Sequence, residues 1–401
     1  MAKLFFNHIA AAPPDPILDL TLAFNAEKDP KKVNLSVGFY RNAELKTPVL
    51  KSVKKAEALL LESEKTKEYL PIVGDKTFLD KIGCLVFGDF FWLSNSKRIA
   101  CMQGPGGTGC LRIGGDFLKQ EVGEKIVIPD PTWPNHRGVF LRCGLKVESY
   151  PYYDFEKNKL DFDRCIQYFK GLSPGSVVLL QACCHNPTGA DFSLDQWKTL
   201  SDLFRENGLL PFFDFAYQGF GFSIEGDAQA IRLFAKEGHE MAVAYSLSKN
   251  FGLYGERTGA LFIVAESEQI AENVTSKMKT IARATYSNPP LHGAKVAAAI
   301  LSTPALRAEW ESEVEEMRSR IHMLRARFTE ALAAKSRKKD FRFLAGHNGM
   351  FCYLGLDKAQ VAKLVKEDKI FMTQDGRINV LGLNDGNFDY VVDAITRVAN
   401  L

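Results

Sequence analysis

Between residues 97 and 265 the chain alternates short, almost wholly apolar runs with longer stretches in which apolar positions recur every three or four residues. The runs Lys125–Ile128, Ser176–Cys184, Leu209–Phe215, Met241–Ser246 and Gly259–Ala265 predict strands, because a strand covered on both faces has no polar side to alternate with. Gly109–Gln120 and Ser193–Asn207 predict helices between them. Such alternation predicts an α/β domain built on a mainly parallel sheet with helices on both faces. The pattern changes near Pro304. Trp310, Val314, Met317, Ile321, Leu324 and Phe328 follow one another at steps of four and three, which is one face of a long helix. Shorter pieces then run to Leu401, punctuated by Gly346, Gly349, Gly376 and Gly382, and predict a second, smaller α/β domain. Val33–Tyr40 reads as a strand that joins it.

Composition narrows the function classes. A chain of 401 residues predicts two or three domains. Its net charge is only +3 and its basic and acidic residues are interleaved, so it lacks the basic stripe of a nucleic-acid binder. No apolar run is long enough to span a bilayer. The opening Met1–His8 has neither the apolar core of a signal peptide nor the Arg-rich character of a transit peptide, and a cytoplasmic location is expected. The eight cysteines are scattered apart from the adjacent Cys183–Cys184, with no C-x-x-C, and read as reduced, buried thiols. The seven histidines form no H-E-x-x-H, and no protein-bound metal is expected.

Polar clusters close several of the apolar runs, and the ends of parallel strands are where ligands bind in open α/β sheets. The string Tyr245–Gly252 places Lys249 among small hydroxyls just past a strand, with Arg257 one loop further on. A desolvated lysine beside a cation is an amine nucleophile able to form a Schiff base, and Arg257 suits a phosphate. Asp214 sits among four aromatics, with Tyr217 close behind. A buried carboxylate needs a cationic partner such as a protonated pyridine nitrogen, although a helix N-cap also suits an aspartate. Pro187 and Gly189 fix a turn that presents Asn186 at a strand end. The loop Gly104–Gly109 precedes a helical stretch, matches G-x-G-x-x-G, and is followed by Asp130 at the end of the next run. Backbone amides at a helix start hold phosphate, whether of a dinucleotide or of something smaller.

Taken together, several blocks resemble the class I aspartate/aromatic aminotransferases. They are Pro-Gly-Gly-Thr-Gly (105–109), Pro-Thr-Trp-Pro-Asn-His (131–136), Asn-Pro-Thr-Gly (186–189) and Asp-Phe-Ala-Tyr-Gln-Gly (214–219). With them stand Ser-Leu-Ser-Lys-Asn-Phe-Gly-Leu-Tyr-Gly-Glu-Arg (246–257), Tyr-Ser-Asn-Pro-Pro (286–290) and Gly-Arg-Ile-Asn-Val (376–380). The blocks follow the family's order, and the likeness begins at Ala12–Leu18 and runs nearly to the C-terminus.

The resemblance implies pyridoxal-phosphate fold type I: a large domain with a mainly parallel seven-stranded sheet, plus a smaller α/β domain. It divides the chain into an N-terminal arm in a dimer contact (1–14), a small-domain part (15–47), the large cofactor-binding domain (48–316) and the rest of the small domain (317–401). It implies pyridoxal 5'-phosphate as cofactor, held as a covalent aldimine at Lys249, with Lys249, Asp214 and Tyr217 as the catalytic set. Asp214 would pair with the ring nitrogen, backed by His136. Tyr217 and Asn186 would bond the ring hydroxyl oxygen, and Trp133 would stack on the ring. Gly106, Gly107, Thr108, Ser246 and Arg257 would hold the phosphate, with Ser287 also in the cofactor site and Tyr69 reaching in from the partner subunit. For substrate, Arg377 would grip the α-carboxylate, assisted by Gly38, Asn186 and Trp133. Arg283 would meet the side-chain carboxylate from the other subunit. The implied reaction is ping-pong transfer of the amino group of L-aspartate to 2-oxoglutarate, giving oxaloacetate and L-glutamate, in a homodimer. An aromatic donor with the same acceptor is the alternative, because Phe39 stands beside Gly38 where smaller residues are usual. Ser36 and Gly255 also depart from the common pattern. The rival readings weighed are a nicotinamide-dependent dehydrogenase built on the Gly104–Gly109 loop, a non-catalytic cofactor binder, and decarboxylation or elimination on the same fold.

Overall fold

Every residue of Val177–Gln181 is buried, and so is every residue of Met241–Ser246. Both are inner strands of a seven-stranded sheet in the computed structural model, which describes residues 5–11 and 16–401. In chain order the strands are β1 (Ile99–Pro105), β2 (Lys125–Asp130), β3 (Lys146–Pro151), β4 (Val177–Gln181), β5 (Leu210–Phe215), β6 (Met241–Ser246) and β7 (Thr258–Val264). Their order across the sheet is β1-β7-β6-β5-β4-β2-β3. β7 runs antiparallel to both β1 and β6, and the other pairs are parallel.

Alternate side chains feed two separate cores, which is why the strands read as continuous apolar runs rather than alternating ones. Val178, Leu180, Phe213, Phe215, Val243 and Tyr245 join one core, and Val177, Leu179, Phe212, Ala242 and Ala244 the other. Each large side chain buried this way contributes roughly 1.5–3 kcal/mol. The second core is covered by α1 (Gly106–Glu121) and by α3 (Glu268–Thr285), and α2 (Leu194–Glu206) lies over the first. Ser193 caps α2 in a reciprocal box with Gln196. α4 (Pro304–Lys335) carries the predicted stripe, with Trp310, Val314, Met317, Ile321, Leu324 and Phe328 all buried. Residues 316 and 317 fall inside this one helix.

One expectation needs adjusting, and one rival reading falls. Val33–Tyr40 is not one strand: only Val33–Asn34 pairs, in parallel with Ile370–Phe371. The Asn34 side-chain oxygen accepts from the Ser36 amide (3.0 Å) and hydroxyl (2.8 Å), and this local bonding turns the chain out of the ladder. The Gly104–Gly109 loop does not belong to a dinucleotide-binding unit. β1 lies at the sheet edge beside antiparallel β7, and β7, β6, β5 and β4 separate it from β2, so β1, α1 and β2 do not form a unit of adjacent parallel strands. Of the expected N-terminal arm, residues 1–4 and 12–14 lie outside the described residues, while Phe5, Phe6 and Ile9 are exposed.

The topology fixes where chemistry can gather. The parallel strands end on one edge of the sheet, and β7, running backwards, begins there. β1 delivers Gly106–Thr108, β2 leads to Trp133 and His136, β4 to Asn186, β5 carries Asp214 and leads to Tyr217, and β6 leads to Lys249. Arg257 directly precedes β7.

Candidate active site

These residues surround a cavity of about 280 Å³. Gly107, Thr108, Trp133, Asn186, Asp214, Tyr217, Ser246, Lys249 and Arg257 line it from the sheet edge, and Gly38, Phe39 and Arg377 close it from the other side.

One end is built for an anion. α1 begins at Gly106 with no side-chain cap, so its first amides are available to a ligand. Gly106 has φ +74°, and a Cβ there would stand 2.6 Å from Arg257 Nη2. A Cβ on Gly107 would meet that of Ser246 at 2.9 Å. Only glycine lets the helix start, Arg257 and Ser246 approach so closely. Arg257 donates to the Tyr254 carbonyl (3.1 Å) and to Ser248 Oγ (3.5 Å) and makes no ion pair among the described residues.

The middle is polar and deeply buried. Asp214 Oδ2 lies 2.9 Å from His136 Nε2, and His136 Nδ1 lies 2.7 Å from Thr132 Oγ1. Asp214 is therefore a strand residue held by histidine, not a helix cap. The Trp133 ring stands edge-on to His136, with centroids 5.2 Å apart. Asn186 Nδ2 donates to the Tyr217 hydroxyl at 3.4 Å. Lys249 Nζ lies 5.2 Å from the centre of the Tyr217 ring. Desolvation lowers its amine to about 8, with Asp214 pulling upward and Arg257 adding to the fall. Burial drives the Tyr217 phenol up, and the Asp214 charge reinforces this.

At the far end Arg377 is buried without an ion pair among the described residues. Its Nη2 donates to the Ser36 carbonyl (3.0 Å), its Nη1 lies 3.4 Å from Asn186 Oδ1, and its Nε has no partner. The guanidinium lies over Phe351 at 4.7 Å. Burial lowers its pKa, as expected of a cation awaiting an anion.

Five of the expected residues do not line this cavity: Gly106 and His136 stand directly behind its lining, against Arg257 and Asp214, and Tyr69, Arg283 and Ser287 lie away from it. Tyr69 is 91% exposed, and Arg283 and Ser287 lie at and just beyond the end of α3. Arg283 Nη1 donates to Ser287 Oγ (2.6 Å), and the neighbouring Asn288 donates from Nδ2 to the carbonyl of Leu70, the residue after Tyr69 (2.7 Å). The residues not foreseen are Thr132, Gln181, Ser248 and Tyr254. The Ser248 hydroxyl, directly before Lys249, is visible in the string Ser246-Leu247-Ser248, but Gln181 looks like any polar residue closing an apolar run. Elsewhere, Cys183, Cys184 and Asp227 bring ligand-type atoms within 4.8 Å of one another. Asp227 already accepts from the amides of Gly219, Gly221 and Phe222.

The donor set fits pyridoxal phosphate: an uncapped helix start with an arginine for the phosphate, a histidine-backed carboxylate for the ring nitrogen, two donors for the ring oxygen, and a desolvated amine. The sequence pattern described as aminotransferase class I and II matches residues 30–395. Aspartate aminotransferase of Escherichia coli K12 is 48% identical over 394 residues, covering 98% of this chain and all of that one. The cytoplasmic aspartate aminotransferase of Oryza sativa subsp. japonica is 44% identical, covering 97% of each. An aromatic-amino-acid aminotransferase from Burkholderia pseudomallei, solved covalently bound to pyridoxal phosphate, superposes with a TM-score of 0.96 at 44% identity, over 99% of this chain and 100% of that one.

Proposed function

The chain belongs to the class I and II aminotransferases, which are pyridoxal-phosphate enzymes, and from that premise we propose that it moves the amino group of L-aspartate to 2-oxoglutarate, giving oxaloacetate and L-glutamate. The observation that carries this reading is a single cavity lined by Lys249, Asp214, Tyr217, Arg257 and Arg377.

Bound here, pyridoxal phosphate would supply an electron sink that makes the substrate Cα proton removable once the substrate amine has displaced Lys249 and freed its amine. The protein's side chains do the rest. Gly107, Thr108, Ser246 and Arg257 would hold the phosphate, and Gly106 leaves room for Arg257 to do so. Asp214 would pair with the ring nitrogen, and the bond from His136 holds the carboxylate in place. Tyr217 and Asn186 would donate to the ring oxygen, and Trp133 forms one wall of the cavity. Lys249, its amine already lowered by desolvation, takes the proton from the substrate Cα and returns it on the other side of the transfer. Arg377 takes the α-carboxylate, which supplies the buried guanidinium with the anion it lacks.

The assignment extends to a homodimer in the cytoplasm. Tyr69, Arg283 and Ser287 lie outside the chain's own cavity, as required if they serve a partner's site, and apolar Phe5, Phe6 and Ile9 are exposed for a contact. No helix among the described residues is long and apolar enough to cross a membrane. The division at residues 47/48 and 316/317 belongs to the same proposal; the pairing of Val33–Asn34 with Ile370–Phe371 supports joining the first segment to the last.

An aromatic donor is the second reading. Phe39 lines the cavity, 47% exposed, with its ring edge-on to Tyr254 at 5.4 Å. Steady-state assays with L-aspartate and with L-tyrosine, each with 2-oxoglutarate, separate the two. Oxaloacetate formation with the larger kcat/KM for aspartate is expected, a larger value for tyrosine selects the second reading, and no glutamate from either removes both.

A further inference from the structure

Gln181 ends β4 and sits beside Asp214 in the register with β5. It is buried and lines the cavity. Its carboxamide oxygen accepts from the Asn186 backbone amide at 2.9 Å, and its Nε2 donates to the Asn186 carbonyl at 2.9 Å. No other bond is made to the Asn186 backbone among the described residues, so one side chain satisfies both of its main-chain polar groups. The same Nε2 lies 3.4 Å from Thr132 Oγ1, which leads through His136 to Asp214.

The Asn186 side chain in turn bonds both Tyr217 and Arg377, alone among the described residues in doing so. Its reach is short, with two rotatable side-chain bonds, so the backbone position decides whether both contacts form. A loop carries it, and loops move more readily than the strands they follow. We infer that Gln181 is a positioning residue for transamination: its two-armed grip on the Asn186 backbone holds the donor to the cofactor's ring oxygen and the brace of the α-carboxylate arginine in one geometry, in register with Asp214. A glutamine is suited to this because it donates and accepts at once over one plane, which neither glutamate nor an apolar residue of the same length does. The inference rests on the site assignment above.

The test uses the purified holoenzyme with Gln181→Met, which keeps the length of the side chain and removes its hydrogen bonds. Two quantities are read, the pH midpoint of the bound cofactor's visible band without substrate and the affinity for succinate, an unreactive dicarboxylate. Lys249, Asp214, His136, Tyr217, Tyr254, Arg257 and Arg377, the charged or titratable groups around the ring and carboxylate positions, remain in the variant. Weaker donation to the ring oxygen disfavours its anionic form, so the midpoint rises by about half a pH unit. Succinate binding weakens by about fivefold, the scale of one lost hydrogen bond. If Gln181 acts through Asn186, the same change in an Asn186→Ala background adds less than about twofold, because the side chain it aims is gone. If Gln181→Met fails to fold, Gln181→Glu goes through the same cycle.

A wild-type midpoint and wild-type succinate affinity in the variant, with only the melting temperature lowered, overturn the inference alone. Full additivity with Asn186→Ala does so as well. A wild-type protein that shows no visible band with pyridoxal phosphate overturns the site assignment, and this inference with it.

Discussion

His136 Nε2 lies 2.9 Å from Asp214 Oδ2, and with its other ring nitrogen on Thr132 Oγ1 at 2.7 Å the imidazole has a partner on both sides. It is fully buried, so neither bond has water as a substitute. The carboxylate is thereby fixed at the strand end where a ring nitrogen would meet it. Asp214→Asn should cut kcat by about 10²-fold or more, since it removes the charge that keeps that nitrogen protonated. His136→Phe keeps an aromatic ring and loses the hydrogen bond, and should cost about tenfold. Equal losses from the two changes would show that the histidine does more than hold the aspartate.

Lys249 gives a pH prediction. Desolvation places its folded-state amine near 8, below the ordinary lysine value, so in cofactor-free protein it loses its proton as pH rises through about 8. The neutral amine is the nucleophile. Covalent capture of added pyridoxal phosphate should therefore speed up across that range and level off above it. The linkage has the same sign: between about 8 and the unfolded lysine value the unfolded chain holds the extra proton, so this group makes the cofactor-free fold more stable as pH rises. Stopped-flow absorbance measures the capture, and a rate flat from pH 6 to 10 would contradict the assignment.

Arg283 supports a test of who completes whose site. Arg283→Asp should lower kcat/KM for aspartate by about 10²-fold and leave tyrosine much less affected. Lys249→Ala should abolish turnover. Mixed and reassociated, the two inactive chains should recover about a quarter of wild-type aspartate activity, because half the dimers are hybrids with one intact site each. No recovery would place Arg283 in its own chain's chemistry or in none.

Phe39 lines the cavity with its ring edge-on to Tyr254, and the second reading rests on its bulk setting the donor balance. Phe39→Val should shift the tyrosine/aspartate ratio of kcat/KM toward aspartate by about tenfold, the scale of losing apolar contact in a pocket. An unchanged ratio would remove Phe39 from the specificity account.

Trp310 ties the lysine turn to the long helix. Its ring stacks on Phe251 at 4.4 Å and its indole N–H donates to the Asn250 carbonyl at 2.9 Å, one residue after Lys249. Trp310→Ala should cost about 3–5 kcal/mol of stability by calorimetry or denaturant titration. A change under about 1 kcal/mol would mean the turn is held from elsewhere.

Much of this was readable in the residues themselves. Asp214, Asn186 and Lys249 stood at the ends of apolar runs, and a parallel sheet gathers such ends on one edge, so their meeting followed from topology. The stripe from Trp310 to Phe328 is set by helical period alone and came out as one helix. What escaped depended on side-chain bonds that no period records. Asn34 turning back on Ser36 cut short the expected strand at Val33–Tyr40. Gln181 gripping a backbone five residues ahead leaves no pattern in the sequence. Tyr69 and Arg283 were identifiable only through the family likeness, because their partners do not lie in the cavity of their own chain.

The most direct test of the whole account is the visible absorbance of the purified protein, with pyridoxal phosphate, before and after L-aspartate is added without any keto acid. The account predicts a band from the Lys249-bound cofactor that aspartate bleaches and 2-oxoglutarate then restores. A protein that forms no such band, or whose band neither aspartate nor tyrosine changes, would contradict it.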